Sequence, residues 1–581
     1  MSQPEAGPDT AHTTDAVERP QTLERPAWIA YWRRRGQPWR TEVEIDEDRQ
    51  AFLRQCRRTQ PSVARGVYPF GGVTLSRADV EWLLATHEDG RGPVRWQEES
   101  QRTRVGLDLR GADLRSVDLR GLPLARLLAG LSGGSDEHFE AAAIHLEGAR
   151  LAGAELQGAD LRHGHLEHCD VRKALMAEAS LTGALLAKAD LREAHLEGAD
   201  LREAHLEEAD LREARLEGAR LQEAHGERAR FGGAHLEGAT LDKAHLESAL
   251  MQETHLEGTF CRGTYFQRAY LRDAHLEAAF LLRAHLEDAR LENAHLAGAE
   301  LRGAYLQGTS LYGAHLEGKQ VEADEMARLA QWRHRPEGST TLPPADLRGA
   351  FLDSATNLRQ ATLGNAHYGY VSLADVAWGG ANLAVVLWSR QRRGARGKSG
   401  QSVVLGDERN ARQRKNDEGK SKDAETRFEE YEAAVRANRQ LAVALRSQGL
   451  DEDAANFAYR AQVLQRRVLL RQLRPGAYLF SLFLDTLAGY GYRPGRSLIV
   501  YLFVIFGWAT AYFMVGQTVG PHLTPLAALV FSVTSFHGRG FFPGGIPLDD
   551  PLTVLAATEA IIGLIIEISF IATFTQRFFG K

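Results

Sequence analysis

The sequence has few cysteines, no strong net charge and no recognisable catalytic motif. Its three cysteines, Cys56, Cys169 and Cys261, stand far apart, which excludes a disulfide framework or a zinc ribbon and fits a reducing compartment. A formal net charge of −6 gives no general attraction to nucleic acid. The chain contains no Ser–His–Asp order, P-loop, HExxH motif or paired carboxylates in a catalytic context. The sequence therefore predicts a protein that is not an enzyme, with no cofactor and no metal site.

Charged residues are almost absent from the C-terminal part. None lies between Arg496 and Arg539, and the run at 552–574 contains only Glu559 and Glu567. The uncharged run at 498–515 and the run at 552–574 are each about long enough to cross a bilayer. Basic residues flank both runs on one side, which predicts a multi-pass inner (plasma) membrane protein with its N-terminal bulk and C-terminus in the cytoplasm.

An apolar residue recurs at every fifth position from 146 to 316, and it is nearly always leucine. Gly226 is the one position in this register without an apolar side chain, and a small residue such as Ala189 precedes most leucines by two places. A period of five matches neither a helix nor a strand. Each unit must therefore turn a corner, and the units must be stabilised by stacking on one another. The apolar replacements for leucine are Val171, Met176, Phe231, Met251, Cys261 and Phe266.

Units such as Ala189-Asp190-Leu191-Arg192-Glu193 resemble the pentapeptide-repeat family, whose pattern is A-(D/N)-L-x-x. The resemblance implies a right-handed parallel β-helix of quadrilateral section with four repeat units in each coil. The 35 units would then form about nine coils. Less regular copies precede and follow this stretch, and the second of them contains a one-residue slip near Asn357.

Histidine recurs within the repeats at every second unit, with gaps. With four units per coil, alternate histidines fall on opposite faces of the β-helix. One continuous row on one face would then consist of His235, His255, His275, His295 and His315. Stacked imidazoles can bind metal or sense acid. All of these histidines except His295 are followed two residues later by glutamate, which favours neutral packing beside salt bridges. We favour the structural interpretation. The histidines are His195, His205, His225, His235, His245, His255, His275, His285, His295 and His315.

Shifts in composition divide the chain into six segments and predict a multidomain fold. That fold combines the β-helix, an α-helical hairpin and a two-helix transmembrane pore-loop domain. The segments are a disordered tail (1–25), a small mixed cap (26–105), the repeat β-helix (106–385, with an insertion at 125–142 and a break at 320–344), a basic flexible linker (386–420), the helical hairpin (421–475) and an interfacial helix with two transmembrane spans (476–581).

A short apolar segment at 526–534 and a Gly-x-Gly loop lie between the two spans. This order resembles two-helix potassium-type channels, and the loop is similar to their T-T-V-G-Y-G-D filter. Gly538 and Gly540 match the two filter glycines, whereas Phe536, His537 and Arg539 replace threonine, valine and tyrosine. A ring of Arg539 would favour anions or weak selectivity over potassium. The candidate pore residues are Thr534, Ser535, Phe536, His537, Gly538, Arg539 and Gly540.

Glu559 and Glu567 are ionisable groups inside a span, and such groups commonly mark a pore or a partner. Glu559 could pair with Arg539, or it could be protonated or hydrogen-bonded between helices, and Arg539 and His537 could be ordinary wet loop residues. We expect an oligomeric, tetrameric channel in the lipid bilayer whose β-helix regulates it or docks a protein partner. The alternative is a membrane-tethered interaction scaffold. Interleaved arginines such as Arg192 and Arg202 argue against a nucleic-acid mimic, and no nucleic-acid partner is expected.

Overall fold

The computed structural model describes residues 18–322, 341–365, 367–386, 403–415, 420–518, 522–538 and 550–578. The chain divides into two compact units, Met1–Asp346 with Ala350–Leu363, and Leu347–Gly349 with Gly364–Lys581. The first unit contains an N-terminal cap and the repeats, and the second contains the C-terminal helices.

Three helices form the cap: α1 (Arg25–Arg34), α2 (Glu47–Arg57) and α3 (Arg77–Ala85). Ser76 and Asp79 form a capping box at the start of α3, because the Ser76 Oγ accepts from the Asp79 backbone N–H while Asp79 Oδ2 accepts from the Ser76 N–H at 2.8 Å. Arg49 from α2 donates to both oxygens of Asp79, at 3.0 and 2.9 Å. The cap is thus joined by a bidentate ion pair at a helix N-terminus.

The repeats form a parallel β-helix with four repeat units in each coil. Residues four units apart pair as parallel bridges, as His145 does with His165, and the pattern continues to the bridge of His295 with His315. Leu191 and Ala189 point inward and are buried, as are nearly all the residues in their register. Each unit turns its corner at the second residue after the leucine, for example Glu193, whose φ of 56° is left-handed. The predicted β-helix and its coil length are confirmed.

The position of Gly226 is filled by its neighbours. A Cβ placed on Gly226 would lie 2.9 Å from Leu246 Cδ2 and 3.8 Å from Phe231 Cε2. Phe231 is fully buried in the next unit, where leucine is usual. The larger side chain at one position therefore compensates for the missing one at the other.

The first insertion contains a short helix outside the regular coils. This helix is α4 (Asp136–Ala142), but Leu128 still bridges Asp160, so the coil extends further into the expected insertion at 125–142 than the sequence indicates. Beyond the second, Tyr305 bridges Phe351 and Ser310 bridges Asn357, and the spacing grows by one residue between these bridges. The expected slip is confirmed. Strands β1 (Lys319–Gln320) and β2 (Thr341–Leu342) pair antiparallel.

The second unit begins with the antiparallel strands β3 (Gly364–Asn365) and β4 (Gly369–Tyr370). Helix α5 (Gly406–Arg412) follows within the segment expected to be a flexible linker, so that expectation is wrong for these residues. Asp407 is buried there and accepts from the backbone N–H of Leu373 at 2.6 Å and of Ala374 at 3.2 Å. Burial and hydrogen bonding therefore hold α5 in place, although the composition around it is typical of linkers.

The remaining helices follow one another with short connections. Helices α6 (Ala424–Ser447) and α7 (Asp451–Arg471) form the expected hairpin, and Gly449 turns the chain between them with φ 75°. The last four are α8 (Pro475–Ala488), α9 (Pro494–Thr518), α10 (Pro525–Phe536) and α11 (Pro551–Phe578). Within α9 and α11, Gly495–Thr518 and Pro551–Ala572 have a mean hydropathy of 2.1 and are long enough to cross a membrane.

Candidate functional site

Helix α10 packs between α9 and α11 and runs antiparallel to α9. As residue numbers rise along α10, its partners on α9 fall in number, which fixes the direction. The paired contacts are Phe531 with Tyr512 (ring centroids 4.7 Å apart), Ser532 Oγ with the carbonyl oxygen of Ile505 (3.0 Å) and Phe536 with Tyr501 (ring centroids 4.8 Å apart).

Helix α10 runs parallel to α11, so its C-terminal end reaches far along that helix. Ser532 contacts Glu559 and His537 contacts Glu567, whereas Leu552 at the start of α11 packs with Tyr512. At 1.5 Å per residue, Glu567 lies about 22 Å along the helix from Leu552. Helix α10 therefore starts near the end of α9 and stops beside Glu567 on α11.

Glu559 joins the three helices through a buried polar contact. Its side chain is fully buried. The Tyr512 hydroxyl on α9 donates to Oε2 at 2.7 Å, and the Ser532 hydroxyl on α10 lies 2.5 Å from Oε1. Of the alternatives for Glu559, the structure contains the hydrogen bonds between helices. Arg539 lies outside the described residues, and an ion pair with it stays a prediction.

His537 and Glu567 meet at the end of α10. The His537 Nδ1 contacts a carboxylate oxygen of Glu567, and its Nε2 lies 3.2 Å from the Tyr501 hydroxyl. A cavity of about 400 Å³ opens beside this contact. Besides these three residues, it is lined by Ser497, Leu498, Ile566, Phe570 and Ile571.

The other candidate pore residues differ in their surroundings. The Thr534 hydroxyl donates to the carbonyl oxygen of Val530 at 3.0 Å, within its own helix. Ser535 and Phe536 are buried, and Gly538 has a left-handed φ of 66° just beyond the helix end. Gly540, like Arg539, lies outside the described residues.

Two opposite faces of the β-helix display rows of stacked rings. The first, from His235 to His315, has ring centroids 4.6 to 5.1 Å apart and ring planes within 10° of parallel, as the coil length predicts. The second contains two tyrosines as well as histidines. The spacing of histidines alone does not indicate these tyrosines, whereas the spacing of all aromatic residues in this register does. Its members include His205, His225, His245, Tyr265, His285 and Tyr305.

Glutamates beside two of the histidines change the proton affinity of the ring. Hydrogen bonding to Glu257 raises the pKa of His255, and the neighbouring carboxylate of Glu277 raises the pKa of His275. Burial instead lowers the pKa of His295, where alanine replaces the glutamate. At these three positions the presence of a glutamate therefore distinguishes a raised pKa from a lowered one.

The comparisons with known proteins agree with the repeat pattern. Residues 143–176, 179–218, 209–247 and 281–318 match the model of the family described as pentapeptide repeats, in 8 copies. No curated protein matches the sequence.

Several solved structures match the chain. One is HetL, a pentapeptide repeat protein involved in heterocyst differentiation regulation from the cyanobacterium Nostoc sp.; it has 23% identity, covers 48% of this chain and 94% of its own, and has a TM-score of 0.31. A pentapeptide repeat protein from the thylakoid lumen of Arabidopsis thaliana has 30% identity, coverages of 16% and 67%, and a TM-score of 0.16. The full-length fluoroquinolone resistance protein QnrB1 has 12% identity, coverages of 46% and 93%, and a TM-score of 0.14.

Proposed function

We propose that this pentapeptide-repeat protein is an oligomeric, ion-conducting membrane protein with two spans, and that its β-helix is a regulatory or docking module for a protein partner. The conducting part consists of α9, α10, α11 and the segment that joins α10 to α11. The observation that supports the proposal is the position of α10, which packs between α9 and α11 and ends beside Glu567.

The depth at which α10 ends matters because irregular backbone is tolerated inside a bilayer only where it is buried in protein or lines a water-filled cavity. If α9 and α11 span the bilayer, the end of α10 at His537 lies well inside it. Gly538 then lies at that depth, whereas Asp550 lies at the start of α11. Channel filters are built from backbone in this situation.

The apolar faces of these helices support assembly within a bilayer. Phe503 on α9 is 79% exposed and Leu526 on α10 is 71% exposed. In one chain these side chains would face water, which is unfavourable for such large apolar patches. Lipid and further copies of the chain together can cover them, and a tetramer would bring four copies of the segment after α10 around one axis.

The residues of that segment favour anions or weak selectivity. Arg539 stands where potassium channels have a filter tyrosine, and a ring of arginines repels cations. His537 is held against Glu567 within one chain, so it adds little free positive charge.

One observation favours the alternative of a membrane-tethered scaffold. Both carboxylate oxygens of Glu559 form hydrogen bonds with other helices, so this carboxyl has a structural role that requires no pore. In that case the helices are only an anchor, and the β-helix alone performs the function by binding a protein.

Ion flux from proteoliposomes tests the proposal. We expect the purified full-length oligomer to release chloride faster than potassium. Arg539→Glu should reverse or abolish the anion preference, whereas Arg539→Lys keeps the charge and should retain it. Each sample is checked for its oligomeric state in detergent before reconstitution.

The outcomes separate the two hypotheses. No flux from a correctly assembled oligomer would reject conduction and leave the scaffold. Flux with the same ion preference in Arg539→Glu would reject only the filter role of that segment. A monomeric, inactive protein that remains in the bilayer fraction is the result expected for an anchor.

A further inference from the structure

We propose that His235, Glu237, His255, Glu257 and His275 on one face of the β-helix bind divalent transition-metal ions such as Zn²⁺. These residues are defined here as the His–Glu row. They form two overlapping groups, His235–Glu237–His255 and His255–Glu257–His275, and His255 belongs to both.

The spacing of the ligand atoms suits an ion shared between neighbouring coils. Within each group one ligand atom per residue lies within 4.8 Å of the other two. His235 Nδ1 is 3.2 Å from Glu237 Oε1, and His255 Nδ1 is 3.2 Å from Glu257 Oε1. Two ligands that each lie about 2.0 to 2.1 Å from a tetrahedral zinc ion are separated by roughly 3.3 Å. The pairs within one coil already have this separation.

The stacking places the ligand nitrogens on one side of the row. The rings of His235 and His255 are 4.6 Å apart and parallel within 6°, so their Nδ1 atoms both point towards the glutamates. An ion placed between two neighbouring coils, on the side where the glutamates lie, can bind one imidazole nitrogen from each coil and one carboxylate oxygen. Parallel rings must turn slightly to aim their lone pairs at it, and their exposed outer edges leave room to do so.

Within the part of the chain that the structure describes, the two carboxylates of the His–Glu row have no lysine or arginine partner. At one end Arg215 lies 3.2 Å from Glu197 and 3.3 Å from Glu217. At the other end Lys319 Nζ lies 2.7 Å from Glu277. Among the described residues, Glu237 and Glu257 lie between these cations and have ion-pair contacts only with histidines.

One oxygen of each central carboxylate is left without a hydrogen bond. The Oε2 atoms of Glu237 and Glu257 are buried and have no hydrogen-bond partner among the described residues. The equivalent atoms of Glu217 and Glu277 share this feature, so it is common to the glutamates of this face. A buried carboxylate oxygen without a partner is costly, and a cation bound to the same carboxylate lowers that cost.

The mixed nitrogen and oxygen ligands select the class of metal. Imidazole suits zinc, copper, nickel and iron, whereas calcium and magnesium prefer oxygen alone. Zinc accepts three protein ligands together with water, which fits a group of two histidines and one glutamate at a partly exposed surface.

Zinc binding by the full-length protein tests the proposal. The protein is purified without a polyhistidine tag, stripped with EDTA and titrated with Zn²⁺ by calorimetry, and bound metal is counted by mass spectrometry after dialysis. His255→Ala removes the residue that both groups share, so we expect it to lose at least one equivalent of zinc. Glu257→Gln keeps the shape of the side chain and should weaken binding at that group by ~10-fold or more.

His285→Ala provides the matched control. His285 lies on the opposite face and pairs with Glu287 at 3.2 Å, but it stacks between two tyrosines instead of histidines. Its loss should leave the row's zinc uptake unchanged. Circular dichroism shows whether each variant is folded, and Glu257→Gln decides the matter if His255→Ala does not fold. Equal zinc uptake by wild type and a folded Glu257→Gln or His255→Ala protein would overturn the proposal, as would no uptake by wild type.

Discussion

The hydroxyl of Tyr512 donates a hydrogen bond of 2.7 Å to Glu559 Oε2 and so joins the two long apolar helices. Ser532 on the short helix contacts the other carboxylate oxygen, so one residue connects all three helices.

Removing the Glu559 side chain should therefore destabilise the packing of these three apolar helices. Glu559→Ala removes the acceptor of the buried Tyr512 hydroxyl, whereas Ser532 keeps its contact with the Ile505 carbonyl oxygen. A buried polar group left unsatisfied costs about 1–3 kcal/mol. Glu559→Gln retains an acceptor for Tyr512 and should be milder. Thermal unfolding in detergent, followed by circular dichroism, measures both. Equal midpoints for wild type and Glu559→Ala would contradict a structural role.

Gly563 permits the close approach of α10 to α11. A Cβ on Gly563 would overlap the backbone carbonyl of Phe536, which cannot move aside as a side-chain tip can. Gly563→Ala should separate the helices and lower the unfolding midpoint of the protein in detergent. The control is Gly507→Ala on α9, where a Cβ meets no atom within 4 Å. A midpoint that falls equally in both variants would indicate a general helix effect instead.

Gly226 and Phe231 should be energetically coupled. Gly226→Leu restores the usual residue but adds side-chain volume beside Phe231, and overpacking of this kind costs about 1–3 kcal/mol. Phe231→Leu alone leaves a void. The double variant recreates two ordinary units, so its destabilisation should be smaller than the sum of the two single effects. A double-mutant cycle of unfolding free energies measures the coupling, and simple additivity would show that the two positions do not compensate.

The first coils should lose stability in acid. Hydrogen bonding to Arg115, at 2.9 and 2.7 Å, lowers the pKa of Asp113 from 3.8 to about 2. A carboxyl whose folded pKa lies below its unfolded value stabilises the fold above the unfolded pKa, and this contribution is lost as the pH falls through the folded pKa. The loss should occur between about pH 4 and pH 2.

Asp113→Asn isolates this contribution. Arg115 is 59% exposed, so the effect should be small and should weaken further in salt. The variant should show a flatter dependence of the unfolding midpoint on pH than the wild type below pH 4. An identical slope in the two proteins would exclude this ion pair as a source of the acid sensitivity.

The repeat region was predictable from sequence because its information is local and repeated. The leucine period defines the repeat unit, and the resemblance to pentapeptide repeats implies four units per coil. That coil length determines which histidines stack, and a break in the leucine register locates the slip near Asn357. Helix α5 was not predictable in this way. Its buried Glu408 pairs with Arg460 at 2.7 Å, and its Asp407 accepts from the backbone near Leu373. Contacts between residues so far apart in sequence leave no local pattern.

In the apolar helices, the sequence predicted the lengths and the order but not the partners. Nothing near Glu559 in the sequence indicates that Tyr512 and Ser532 will reach it, since they come from two other helices. The close approach at Gly563 was equally unpredictable, because glycine occurs in apolar helices for many reasons.

Because each coil contains four equal units, the number of units determines the face on which each later side chain lies. Deleting four consecutive units removes one coil and leaves every later side chain on its own face. Deleting a single unit moves every later row to the neighbouring face and divides the histidine stack. Asp113 and His145 are separated in sequence by more than one regular coil, yet they bridge in register, because α4 leaves the coil at a corner and returns to it. Such proteins can therefore change length during evolution in whole coils or in corner excursions, whereas a change of any other size would place the surface pattern out of phase.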